Sequence, residues 1–205
     1  MRLATAAVLS ALVFTMHGCA ACKRVAYEGW RRDRWQQPER VIAALELRTG
    51  ERVADVGAGS GYFTFRLAEA VGPDGVVYAV DTDAAMVAYL RERARAAGAR
   101  NVDVIQATPA DPGIPPGGVG LLFTSNTYHH LDDPVAYFRD ARRHLRPGGR
   151  VAILDLNDRS WLAWLLGHYT LPETMRADMA AAGFRVQAEH SFVPRQTFLV
   201  FVPDG

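Results

Sequence analysis

The stretch Asp55-Val56-Gly57-Ala58-Gly59-Ser60-Gly61-Tyr62-Phe63 sets three glycines alternately among small residues, directly after the apolar run Arg52 to Val56. So little side chain leaves the backbone open to a ligand. The spacing narrows which ligand. A dinucleotide fingerprint, G-x-G-x-x-G, needs its third glycine three residues after the second, and that position is Tyr62. A phosphate loop needs a following Lys and Ser or Thr, and Tyr62-Phe63 supply neither. Carboxylates stand on either side instead: Asp55 before the loop, and Asp81 twenty residues beyond Gly61 at the end of a second apolar run. A carboxylate there accepts two hydrogen bonds from a ribose diol. The pattern suits an adenosine-type nucleoside without phosphates. The plainer alternatives are a mere tight turn for the glycines and a helix cap for Asp81.

These residues need elements to hold them. Trp35, Val41, Ile42, Leu45 and Leu47 recur at roughly helical spacing, with Pro38 near a helix start. Strands are predicted at Arg52–Val56, Val76–Val80, Val102–Ile105, Val119–Thr124, Val151–Leu156, Phe184–Ala188 and Gln196–Val202. Helices are predicted from Ser60 to Val71, from an Asp83 cap to Ala97, from an Asp133-Pro134 start to Pro147-Gly148-Gly149, and from Pro172 to Ala182. Pro109 to Gly118 reads as a loop. Strand and helix alternate, which implies a doubly wound α/β domain with a mostly parallel sheet and helices on both faces. The last two strands are too close in sequence for a parallel crossover and are expected to pair antiparallel.

Placed on those elements, DVGAGSG followed by VYAVDTD resembles the class I S-adenosylmethionine-dependent methyltransferases. The later blocks NTYHHLDDP and HLRPGGRVAILDL fit the same family, and the resemblance covers roughly Arg31 to Pro203. It implies a Rossmann-like sheet of seven strands with the last antiparallel, and S-adenosyl-L-methionine as cofactor. By that resemblance Asp55 anchors the glycine loop and, often through water, the cofactor's amino group. Gly57, Gly59 and Gly61 let the backbone approach its methionine part. Asp81 holds both ribose hydroxyls, Thr82 and Met86 border the adenine, and Asn126 lies near the methyl donor. Met86 reads equally well as core. Thr108, a candidate cofactor contact, stands where family members often have an acidic residue that contacts the adenine amine, which weakens adenine recognition or hands it to a backbone carbonyl or Asp111.

The implied reaction is an in-line displacement on an activated sulfonium carbon, so the protein must align a nucleophile and remove a proton. Tyr128, His129 and His130 follow the fourth strand and are the candidate catalytic groups; a histidine titrating near neutrality suits a base. Their alternative is packing or capping. No metal site is expected, because adjacent histidines do not readily chelate one ion and no carboxylate–histidine spacing supports them. Asp132 and Asp133 read as caps. Trp161-Leu162-Ala163-Trp164-Leu165-Leu166, followed by His168-Tyr169, reads as a lid, a membrane-facing patch or core. A lid there implies a small, partly apolar acceptor. The lack of cysteine after Cys22 argues against an arsenic acceptor.

The bulk numbers are those of a globular chain: 205 residues, 49% hydrophobic and 22% charged. A formal net charge of +1 gives no argument for nucleic acid. Residues 1–22 read as a signal peptide: Met1-Arg2, then an apolar run from Leu3 to Met16, too short to span a bilayer comfortably. Gly18-Cys19 resembles a bacterial lipoprotein cleavage site, which implies membrane attachment through Cys19 and a periplasm-facing protein. The basic residues from Lys23 to Arg34 argue for the cytoplasm instead. Residues 23–50 are expected to be a helical segment and 51–205 the methyltransferase domain, acting as a monomer on a small-molecule or lipid-like acceptor. The alternative is a non-catalytic lipoprotein that keeps the fold as a binding module.

Overall fold

The computed structural model describes residues 32–108, 111–115 and 118–205. The expected signal peptide and lipid anchor at Cys19, and the start of the 23–50 segment, lie outside the described residues. Seven strands form one sheet in the order β3-β2-β1-β4-β5-β7-β6. They are β1 (Arg52–Val56), β2 (Val76–Asp81), β3 (Val102–Gln106), β4 (Val119–Ser125), β5 (Leu145–Leu156), β6 (Phe184–His190) and β7 (Gln196–Pro203). The pairs among β1 to β5 are parallel, and β7 runs antiparallel to both β5 and β6. The sheet is therefore seven-stranded, doubly wound and Rossmann-like, as the strand–helix alternation predicts.

The helices are α1 (Arg32–Gln36), α2 (Pro38–Ala44), α3 (Thr64–Val71), α4 (Ala84–Ala96), α5 (Pro134–Ala141), α6 (Trp161–Leu166) and α7 (Pro172–Ala181). Alternate residues of each buried strand feed opposite faces of the sheet. Val53, Ala79, Leu121 and Phe123 pack with Val41 of α2, Leu67 of α3 and Leu90 of α4. Ala54, Val80, Leu122 and Ile153 pack with Phe138 of α5 and Met175 and Met179 of α7. Each fully buried Phe, Leu or Met side chain contributes roughly 1.5–3 kcal/mol, so helices on both faces are held chiefly by apolar contact.

Several boundaries differ from the sequence expectation, each for a local reason. The helix after the glycine turn starts at Thr64 and not at Ser60, because Gly59 and Gly61 have φ of 54° and 84°, outside the right-handed helical region. Pro147-Gly148-Gly149 does not end a helix. That helix stops at Ala141 and a 3-10 turn follows at Arg142–His144. The proline and glycines are taken up within β5, where pairing with β4 jumps from Val119–Leu145 to Leu121–Arg150. Asp83 caps its helix, accepting from the N–H groups of Ala85 and Met86; at the Pro134 helix the cap is Asp133, which accepts from the Ala136 N–H, and not Asp132.

At the end of the sheet where β1 begins, Glu51 is buried and ties several segments together. It accepts from Arg150 Nη1 at 2.8 Å and from the Arg48 N–H at 3.0 Å. Arg150 also donates to the carbonyls of Leu45 and Gly120. Among the described residues no helix is long and apolar enough to cross a membrane.

Candidate active site

β1 lies between β2 and β4, so the chain winds away from it in both directions. That is the switch point where open α/β sheets leave a crevice beyond the carboxyl ends of their strands. A cavity of about 1070 Å³ occupies this place. It lies at the upper end of ligand clefts, roughly 300–1,000 Å³, with room for a nucleoside cofactor and a second molecule. Its wall follows the strand order, from Thr108 after β3 and Asp81 on β2, through Asp55 on β1, to Asn126 and His129 after β4 and Leu156 on β5. Arg32 and Trp35 of α1 close one side, two lining residues that sequence reasoning missed.

The glycine turn is pinned to the end of β2. The N–H groups of Gly57 and Ala58 both donate to the Val80 carbonyl, at 2.8 and 3.0 Å. Gly57 lines the cavity, at φ 74°; a Cβ there would sit 2.1 Å from Thr127 Oγ1. Gly59 and Gly61 do not line it. The Gly59 N–H donates to Asp81 Oδ2 at 2.8 Å. A Cβ on Gly61 would meet Leu90 Cδ1 at 2.5 Å, so that glycine serves the packing of α3 on α4.

Asp81 Oδ1 accepts from the Asp83 N–H at 2.9 Å. Each of its oxygens is thus engaged once by backbone, and an ionised carboxylate has further lone pairs to offer. Thr82 and Thr108 line the cavity beside it. Met86 does not: it is fully buried beneath the first turn of α4, which corrects the expectation that it borders the adenine. Asp55 is 3% exposed and accepts from Thr64 Oγ1 at 2.6 Å. Burial pushes its carboxyl up to about 6, a rise that the Thr64 hydroxyl opposes and neighbouring Asp81 reinforces. Arg32 sits near enough to moderate it, and burial in turn lowers that guanidinium to about 10.

At the other end Asn126 takes a left-handed conformation, φ 55°, which asparagine tolerates. Its Oδ1 accepts from Gln196 Nε2 at 2.7 Å. A 3-10 turn, Tyr128–His130, then splits the three predicted catalytic residues. Tyr128 turns away from the cavity, stacks on Phe138 and donates to Asp178 Oδ2 at 2.9 Å. Its expected catalytic role is thereby corrected to packing. His129 faces the cavity, with Nδ1 3.0 Å from Asp155 Oδ1 and 3.2 Å from Oδ2. Asp155 is fully buried in β5, accepts also from Thr170 Oγ1 at 3.2 Å, and has its pKa raised by burial. A carboxylate at Nδ1 fixes the proton there and leaves the Nε2 lone pair toward the cavity. His130 lies against His129, and His168, after α6, completes a group of three imidazoles. Partial burial and the other two rings hold His130 down to about 4. Asp155 escaped sequence reasoning, and His168, read there only as part of a candidate lid, joins the other two histidines. The one signal for Asp155 is a carboxylate inside the apolar run VAILDL.

Seen beside known proteins, the chain matches the methyltransferase domain family over residues 53–149. The aklanonic acid methyltransferase DauC of Streptomyces sp. (strain C5) is 34% identical over 113 residues, 55% of this chain and 51% of that protein. Residues 53–149 are a methyltransferase domain. The nocamycin O-methyltransferase of Saccharothrix syringae is 32% identical over 129 residues, 62% of this chain and 46% of that protein. The methyltransferase domain superposes on the crystal structure of a SAM-dependent methyltransferase from Aquifex aeolicus with a TM-score of 0.81 and 24% identity, covering 89% of this chain and 97% of that one. The chain spans about half or less of the length of the curated relatives it matches.

The donor set of the methyltransferase domain fits S-adenosylmethionine. Asp81 keeps lone pairs for a diol, and the turn offers no lysine to a phosphate. Asp55 and Arg32 together offer both charges to a zwitterionic amino acid.

Proposed function

We propose that the protein methylates an oxygen or nitrogen of a small, partly apolar molecule. The observation that carries this reading is the His129–Asp155 pair, which opens into the same cavity as Asp55 and Asp81. S-adenosylmethionine, when bound, supplies the methyl group on a sulfonium that needs no further activation. Asp81 receives the ribose hydroxyls, Thr82 and Thr108 border the base, and Asp55 and Arg32 hold the charged amino-acid end. Asn126, fixed by Gln196, and Gly57 define the wall between donor and acceptor. His129 Nε2 takes the acceptor's proton, and Asp155 holds the resulting imidazolium in place. Ala163 and Leu166 of α6 give that end apolar wall, which favours a partly apolar acceptor. DauC and the nocamycin enzyme are named for small molecules, which supports the same acceptor class.

Nothing in the site favours a non-catalytic module. Membrane attachment through Cys19 and a monomeric state are proposals from the sequence; metabolic labelling with a radiolabelled fatty acid, with Cys19→Ser as control, tests the first.

The function is tested by calorimetric titration of S-adenosylmethionine and its demethylated product, S-adenosylhomocysteine, into the protein and into Asp81→Ala. The expected result is micromolar binding that Asp81→Ala abolishes, followed by turnover in a screen of hydroxylated and amino acceptors. A folded protein that binds neither nucleoside overturns the reading.

A further inference from the structure

Three imidazoles stand together at the acceptor end of the cavity with no task that methyl transfer gives to more than one of them. The ring centroids of His129 and His130 are 4.1 Å apart, and His168 lies 5.7 and 5.5 Å from them. One nitrogen of each ring lies within 4.8 Å of the others. Two of the rings come from the turn after β4 and one from the loop after α6, so two segments distant in the chain converge on one point. Each of the three residues offers one ligand nitrogen to that point.

Behind His129 stands a carboxylate. Asp155 is fully buried, holds Nδ1 at 3.0 Å and is itself steadied by Thr170 Oγ1 at 3.2 Å. A metal-ligating histidine almost always gives its second nitrogen to such a partner. In the sequence, two adjacent histidines without a carboxylate argue against a metal. The fold supplies the carboxylate and the third histidine from 26 and 39 positions beyond His129 in the sequence.

We propose that His129, His130 and His168 form a three-histidine site for a first-row divalent cation, Zn²⁺ fitting best, with its fourth position open to the cavity. Imidazole ligands suit Zn²⁺, and three of them with one open position make the ligand set of a catalytic zinc. Bonds of 2.0–2.1 Å in a tetrahedron place ligand nitrogens roughly 3.3 Å apart. The widest pair must therefore close by about 1.5 Å. His130 and His168 are exposed, so side-chain rotation is enough. Asp132 and Asp140 line the same cavity and favour the approach of a cation.

Binding of the cation does not depend on the methyltransferase reading, but its role does. With Nε2 of His129 on the metal, that ring no longer takes a proton. An acceptor hydroxyl in the open position is acidified by the cation directly, and its proton leaves to solvent. The site then selects acceptors whose reacting oxygen can ligate a metal.

The test uses the untagged full chain, freed of metal with a chelator and titrated with Co²⁺ and then Zn²⁺. The expected result is uptake of one equivalent of Co²⁺ with the intense visible bands of tetrahedral coordination, displaced by Zn²⁺. His168→Ala and His130→Ala lose more than about 100-fold in affinity, and Asp155→Asn loses about 10- to 100-fold. Cys19→Ser/Cys22→Ser leaves the uptake unchanged. S-adenosylhomocysteine titrated into each variant reports folding and the cofactor end separately. Uptake that follows the cysteines, uptake indifferent to His168→Ala, or no uptake by a protein that still binds S-adenosylhomocysteine overturns the site. Metal uptake without nucleoside binding keeps the site and overturns the function above.

Discussion

Asp55→Asn removes a charge while keeping shape and leaving an oxygen for the Thr64 hydroxyl. Asp55 is held at about 6 against an ordinary 3.8, chiefly by burial. At about 1.4 kcal/mol per pH unit, keeping it ionised above pH 6 costs the fold about 3 kcal/mol. The sign follows from proton binding. Between these two values the folded state holds the proton more tightly than the unfolded chain, so stability falls as pH rises through that window and then levels off. The penalty is about 3 kcal/mol at pH 7.5 and about 1 kcal/mol at pH 4.5. Urea denaturation of both proteins at the two pH values measures it. Asp55→Asn should gain about 2 kcal/mol more at pH 7.5 than at pH 4.5. A gain equal at both pH values, or a loss at pH 7.5, refutes the argument. A bound ammonium prefers the carboxylate, so the affinity of the natural protein for S-adenosylhomocysteine should drop about tenfold from pH 7 to pH 5. In Asp55→Asn binding is weaker throughout and flat with pH. On the proposed reading the carboxylate costs stability at neutral pH, and this is offset at the ligand.

His129→Gln should lower turnover roughly 100- to 10,000-fold while leaving S-adenosylhomocysteine affinity unchanged by calorimetry; a parallel loss of nucleoside binding would place His129 in the cofactor end. Gly57→Ala drives a methyl onto Thr127 at a φ of 74° and should cost about 1–3 kcal/mol by urea denaturation. Thr127→Ala in the same chain should recover part of that loss, and simple additivity of the two changes would contradict the contact.

Much of the arrangement is legible from local chemistry. Asp83 and Asp133 announce their helices because a side-chain oxygen at a helix start answers N–H groups two and three residues on. The close spacing of the last two apolar runs already dictates their antiparallel pairing. Other features depend on partners remote in sequence. Pro147-Gly148-Gly149 carries every local sign of a helix stop, yet β4 offers pairing groups that draw Leu145 into the sheet ahead of it. Tyr128 and His129 are neighbours with opposite fates, since a 3-10 turn sends adjacent side chains about 120° apart. Met86 has the right position in sequence to border a base, but its face of α4 points into the protein. Asp155 and His168 become site residues only when β5 lies beside β4.

Glu51, with Arg150, binds the foot of β1 to β5 and to the segment after α2, at the end of the sheet remote from the cavity. The opposite rim is made of the glycine turn, the 3-10 turn and the loop after α6. Thermal opening is therefore graded along the strands. Amide hydrogens near Val53 and Leu121 should exchange with deuterium only through global unfolding, while those near Thr127 and Gly167 exchange through small local openings. Molecules enter and leave such a cleft by fluctuations of its rim, with the sheet beneath acting as a fixed base.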